Sequence, residues 1–317
     1  MVGIFTGNRA GVLLLLPFIV VLYHFINHFS GGHYRPQVAN MGFWGAEFFI
    51  TPFMSEICAA VLVVLNAIGI NMIYNSNEFY ERNTYISSLL YVVFMSFYHS
   101  FYSVDGLLIA HTALTLLIYQ IFRLRQNEDG RTAVFNAAIF GGLAATFHPP
   151  MIAVFPVVLV MIWNIRPFIV REFFLALSGF AIPLGYAYTY FWYTGQKLKW
   201  NILQQVSDFY KEQTDFYVTS GLFVFLIVLS SISIRNKIQK TSIRLKKLVN
   251  ILWLLMVIGF LYGMIDLLFF DQMERFSFLM VPMAFFLSFS FMDKKLSAPA
   301  SVLFYITFGY SLINFFF

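Results

Sequence analysis

The chain has 317 residues, 60% of them hydrophobic, and only 20 Lys or Arg and 15 Asp or Glu, too few charges to solvate a soluble globule of this size. The composition points to a polytopic membrane protein. It excludes a soluble enzyme, a nucleic-acid-binding domain despite the net charge of +5, and a disulfide-stapled module, because Cys58 is the single cysteine. No nucleic acid is expected among the partners.

A bilayer core of about 30 Å takes about 20 apolar helical residues. Taken in chain order, the predicted spans are Val12–Phe29, Phe48–Ile73, Thr84–His99, Val104–Phe122, Ala133–Phe147, Met151–Trp163, Glu172–Tyr193, Val218–Ile234, Val249–Phe270, Phe276–Phe291 and Ala298–Phe316. The first follows Arg9 and is read as an anchor rather than a signal peptide, being long and followed by further spans. The expected fold is an all-α transmembrane bundle of about eleven spans, within a range of ten to twelve.

His148-Pro149-Pro150 splits residues 133–163 into either two short helices or one broken span. Loop charge arbitrates. As a hairpin, the segment puts 15 of the 20 cations on the side of the N-terminus and 5 on the other, whereas a single span gives 9 and 11. Positive-inside bias therefore favours the hairpin, with the N-terminus cytoplasmic and the C-terminus outside. The whole chain, 1–317, reads as one transmembrane domain in the cytoplasmic (inner) membrane. Its outer loops are 30–47 and 194–217, the latter with the rhythm of an amphipathic helix lying on the membrane surface. A basic cytoplasmic loop, 235–247, is suited to anionic headgroups.

The remaining polar residues gather on the predicted outer side. His24 and His28 are four apart on one helix face with His33 close by, a weak candidate set for a divalent metal, since two imidazoles fall short of the usual ligand number. His99, Asp105 and His148 stand at outer span ends, with His111 deeper. Glu56, about two turns into the second span, and Asp266, near the end of the ninth, each require a partner or a cavity. Asp271 and Arg275 form an i,i+4 pair if that helix runs on, and Asp266 and Glu274 then lie on one face. Walker A, G-x-S-x-G, H-E-x-x-H and C-x-x-C sequences are absent.

From Phe147 onward, His148-Pro149-Pro150, Arg166-Pro167-Phe168, Arg171-Glu172, and a span with Gly179 and Pro183 ending Trp192-Tyr193-Thr194-Gly195 are similar to an uncharacterised family of multi-spanning inner-membrane proteins of Bacteroidota. That family distantly resembles integral-membrane glycosyltransferases that use polyprenyl-phosphate-linked sugars, through its hairpin-rich topology and through Glu274-Arg275-Phe276 opening a late span that contains Pro282. The resemblance implies Glu47 as catalytic base, Arg275 as phosphate partner, and Asp271 or Glu274 as further polar contacts. Arg35, Asp266 and His148 complete the candidate substrate-binding set. The sequence departs from the transferases in lacking a carboxylate in Ser30–Gly45.

Three functions are weighed on these residues. The first is a non-enzymatic subunit or scaffold of a bacterial envelope complex, with a membrane protein as partner. The alternative is a glycosyltransferase-like enzyme with an outer site for polyprenyl phosphate. The third is a transporter or lipid flippase, against which no second broken segment is evident to match His148–Pro150. Membrane lipid is a partner in each.

Overall fold

The computed structural model describes residues 1–30, 34, 41–44, 51–125, 128–195, 213–239, 241–270 and 273–316. Among them, eleven helical segments follow a short N-terminal turn at Val2–Phe5. They are α1 (Ala10–Phe29), α2 (Pro52–Ser76), α3 (Ile86–Met95), α4 (Gly106–Arg123), α5 (Arg131–Phe147), α6 (Pro149–Ile165), α7 (Val170–Thr194), α8 (Gln213–Ile238), α9 (Ile243–Phe270), α10 (Glu274–Met292) and α11 (Ser297–Ile313). No strand occurs among the described residues.

Each predicted span falls on one of these helices, but they differ in reach. Seven of those described are long and apolar enough to cross a membrane: α1, α2, α4, α7, α8, α9 and α10. Three apolar helices, α3, α6 and α11, are shorter, and α5 has 17 residues. The ten residues of α3 rise only about 15 Å. Every one of them is buried, and α3 packs against α1, α2 and α10. Its backbone ends therefore meet protein rather than hydrocarbon, which is the condition for a short helix at membrane depth. Helix α10 is enclosed in the same way, and α3 and α10 are apolar all round because they form the centre of the bundle.

Direction alternates along the chain. The start of the protein joins the α2–α3 turn, where Phe5 O accepts the Tyr85 N–H at 2.8 Å. Phe315 packs at the opposite end against Tyr23, Tyr34 and Tyr102. Residues 133–163 form a hairpin: Phe147 ends α5 beside Gly42, and α6 returns to place Ile165 O against Lys247 Nζ at 2.8 Å. The reversal has a local cause, because Pro149 and Pro150 cannot continue α5 and instead open a 3-10 turn, Pro149–Ala153. A similar 3-10 opening, Glu274–Leu279, begins α10.

Close helix packing uses glycine where backbones meet. A Cβ on Gly142 of α5 would lie 2.3 Å from Phe180 O of α7, and one on Gly179 of α7 would lie 2.7 Å from Phe135 O. Small residues at such crossings allow van der Waals contact in a medium that supplies no hydrophobic drive between helices.

The basic stretch 235–247 is not a loop. Helix α8 runs to Ile238 and α9 starts at Ile243, leaving residues 239–242 between them. Arg244 and Lys247 turn inward from α9: Arg244 Nη2 donates to Phe122 O at 3.1 Å and to Asn77 Oδ1 at 2.9 Å, and Lys247 reaches Ile165 O. These two cations cover carbonyls at the C-terminal ends of α4 and α6 rather than facing headgroups. The outer loops, with Lys197 and Trp200, lie outside the described residues for most of their length.

Candidate functional site

The end of the bundle opposite the basic turns collects the buried polar residues. Helix α9 stops at Phe270, and α10 begins at Glu274, so the helix continuation required for an Asp271–Arg275 i,i+4 pair is absent. Arg275 instead turns back to Asp266, with Nη1 3.0 Å from Oδ1, and both side chains have 0% exposure. The Arg275 backbone N–H also donates to Asp266 Oδ2 at 3.1 Å. Asp266 thus neutralises a guanidinium and satisfies a donor at the start of α10, across the break in the chain.

Glu274, likewise expected beside Asp266 on one continuing face, lies on the other side of that break. Its carboxylate accepts the His99 N–H at 3.1 and 3.3 Å, at the start of the 3-10 turn His99–Phe101. Asp105 is the N-cap of α4: Oδ1 accepts the Leu108 N–H at 2.7 Å and Oδ2 accepts the Ser100 hydroxyl at 2.6 Å. Three acids at this end therefore do the same thing. Each accepts a backbone N–H where a helical segment begins, the position at which the helix dipole favours negative charge.

Below them the network continues in neutral groups. His111 Nε2 and Ser277 Oγ are 3.1 Å apart, His111 Nδ1 is 3.3 Å from the Tyr91 hydroxyl, and Asn66 donates to that hydroxyl at 3.4 Å. His111 stacks on Phe278 with ring centroids 4.6 Å apart. His148, between α5 and α6, packs against Tyr262 and Phe278, and its Nε2 is buried without a hydrogen-bond partner. Burial, and then the nearby positive charge of Arg275, hold the His148 imidazole well below its ordinary pKa of 6.5, so it is neutral.

The candidate set thus divides. Asp266, Glu274, Arg275 and His148 come together. Glu47, Asp271, Arg35 and His33 lie outside the described residues. His24 turns inward from α1, with Nδ1 3.0 Å from Glu56 Oε1 and its ring stacked on Phe101, while His28 is exposed and lies edge-on to Phe29. Glu56 stands one turn into α2, not two, because that helix starts at Pro52 with Thr51 as its cap. Among the described residues no group of three or more His, Cys, Asp or Glu is placed to hold a metal ion, and His24 and His28 take separate environments.

Beside this network lies a groove of about 290 Å³ between α8, α9 and α10. Phe223, Phe260, Phe276, Met264, Met280 and Met283 form its walls, and Tyr98, Thr219 and Ser220 bring polar atoms to the end nearest Glu274. From Thr219 to Ile227 it follows α8 for about 12 Å. Sequence reading missed it, since Thr219 and Ser220 look like ordinary residues near a helix start. The Met-Phe composition of the walls was visible but has no meaning until three helices bring it together. Compared with known proteins, the chain matches no family model, no curated protein and no solved structure.

Proposed function

We propose that the protein is a lipid-handling component of the bacterial inner membrane that seats the chain of a lipid phosphate, of the polyprenyl-phosphate kind, in the groove between α8, α9 and α10. The single observation that carries the reading is the groove itself: apolar walls along membrane-crossing helices, ending in Tyr98, Thr219 and Ser220 next to the capped helix starts. Four methionines, Met264, Met273, Met280 and Met283, give it walls that adapt to a branched chain. The concentration of Arg and Lys at the other end supports an outward orientation for this site.

In this reading Asp266, Glu274 and Arg275 are positioning residues. Arg275 is enclosed with Asp266, and Glu274 holds the His99 turn, so the three fix the floor beneath the headgroup rather than grip it. In a transferase reaction of the kind the resemblance implies, Glu47 would be the base, with Asp271 a further polar contact.

The test is photolabelling of the full-length protein in nanodiscs with a diazirine-bearing polyprenyl phosphate and, separately, with a diazirine-bearing fatty acid. Labelling by the polyprenyl probe on α8 or α10, reduced severalfold by Ser220→Trp, is the expected result. Equal labelling of Ser220→Trp and the parent chain would remove the groove from the account, and labelling by the fatty acid alone would remove the phosphate.

A second reading, a subunit that docks on a membrane partner, rests on α7. That helix packs on α5 through its glycine face and leaves Tyr186, Tyr188, Tyr190, Trp192 and Tyr193 exposed near its end. Site-specific crosslinking from Tyr188 to a stoichiometric protein in membranes would favour it. Crosslinks to lipid alone would identify this surface as an interfacial aromatic belt.

A further inference from the structure

At the basic end, three turns that are distant in sequence border a second, open cavity of about 640 Å³. Tyr80 and Glu81 come from the α2–α3 turn, Asn236 and Lys237 from the end of α8, and Asp293, Lys294 and Lys295 from the α10–α11 turn. Two of its groups are already engaged: the Tyr80 hydroxyl donates to Met292 O at 2.7 Å, and Asp293 Oδ1 accepts the Lys295 backbone N–H at 2.9 Å. Lys237 Nζ lies 3.5 Å from the centre of the Tyr80 ring, which holds the ammonium at the cavity wall.

Lys294 and Lys295 differ from Arg244 and Lys247 in having no helix carbonyl to cover. Both are exposed at the rim, and neither ammonium makes a hydrogen bond or ion pair among the described residues. Among the described residues the lining contains three lysines against Glu81 and Asp293, an excess of one positive charge. That balance suits a monoanionic phosphodiester. The volume equals roughly twenty waters at about 30 Å³ each, enough for a glycerophosphate headgroup with some of its hydration.

The surface leading to the cavity is apolar. On α8, Val228 and Ile232 are exposed at 52% and 47%, and Asn236 follows four residues later on the same stripe, inside the cavity. The stripe therefore leads, through Asn236, into the cavity that Lys294 and Lys295 also line. We propose that the cavity between the α2–α3, α8–α9 and α10–α11 turns is a binding site for the phosphodiester headgroup of a membrane phospholipid, held by Lys237, Lys294 and Lys295.

The experiment is native mass spectrometry of the full chain released from detergent, titrated with phosphatidylglycerol, with diacylglycerol of the same chains, and with inorganic phosphate. Retention of phosphatidylglycerol over diacylglycerol is expected, with binding weakened about tenfold in Lys294→Gln/Lys295→Gln and kept in Lys294→Arg/Lys295→Arg. Because both variants leave the buried contacts intact, unchanged thermal unfolding confirms that each is folded. Equal binding of the two lipids, unchanged affinity in the glutamine variant, or displacement of the lipid by inorganic phosphate at equimolar concentration would each overturn the proposal.

Discussion

The two ends of the bundle treat charge in opposite ways. At the end carrying the groove, three deep acids each meet a backbone N–H where a helix starts, Asp266 at α10, Asp105 at α4 and Glu274 at the His99 turn, while the half-buried Glu56 pairs with His24. At the basic end, Arg244 and Lys247 meet carbonyls where α4 and α6 finish. Helices α4, α6 and α10 run in the same direction, so their positive dipole ends share one face of the molecule and their negative ends share the other. Charge in this protein is arranged first for helix termini, which have unsatisfied backbone groups that lipid cannot hydrate. What separates the ends is enclosure. Around Arg275 the charges are sealed in, whereas Lys294 and Lys295 stand at a rim.

This contrast predicts a graded series of effects. The largest belongs to Arg275→Met, which strands a buried Asp266 carboxylate and should cost about 3–5 kcal/mol in reversible unfolding from mixed micelles. Adding Asp266→Leu should restore much of that loss. A single variant as stable as the parent, or a double variant no better than the single, would show that the pair does not carry the joint between α9 and α10.

The basic end contains one enclosed pair of its own, Arg166 Nη1 with Glu172 Oε1 at 3.2 Å, their side chains only 8% and 6% exposed. Arg166 also donates to Glu128 O at 3.0 Å. Glu172→Gln keeps the shape and removes the charge, so a loss of about 1.5–3 kcal/mol is expected. If the loss were negligible, enclosure and not the identity of the end would no longer explain the ranking.

An acid titration separates the ends further. Because His148 has a folded-state pKa held below 6.5, the unfolded chain takes up this proton first. Its contribution is complete above about pH 6.5 and falls as the pH drops below that value, by at most about 1.4 kcal/mol per unit. Unfolding followed between pH 7.5 and 5 should show a weaker pH dependence for His148→Phe than for the parent; parallel curves would contradict a neutral, buried His148.

The smallest effect concerns a cap. Lys247→Met removes a cation from Ile165 O and should cost about 0.3–1 kcal/mol, read as a small decrease in unfolding midpoint. A shift as large as that of Arg275→Met would mean that the basic end is as tightly sealed as the other.

Much of this was legible in advance. Apolar run length located the helices, and His148-Pro149-Pro150 marked the α5–α6 hairpin because proline cannot continue a helix. Asp105 stands at a predicted span end, and the structure makes it the N-cap of α4. The site was less legible. Asp266 and Arg275, nine residues apart, flank a predicted span boundary with no pairing expected between them, and only the non-helical joint between α9 and α10 lets Arg275 fold back on Asp266. Glu274 and His99, 175 residues apart, share no local signal at all. The candidate acids were identified by residue type, but their partners are backbone donors, which the sequence displays at every position.

The sequence by itself determined that this chain is a membrane-embedded helical bundle, because its ratio of apolar to charged residues leaves no other solvent for its surface. Local patterning also determined where helices lie. Tertiary structure decided which helices reach crossing length and which are enclosed, that the buried acids serve helix starts, and that three separate helices form a groove. Those outcomes depend on which backbone ends meet in space, and hydrophobic periodicity carries no record of that meeting.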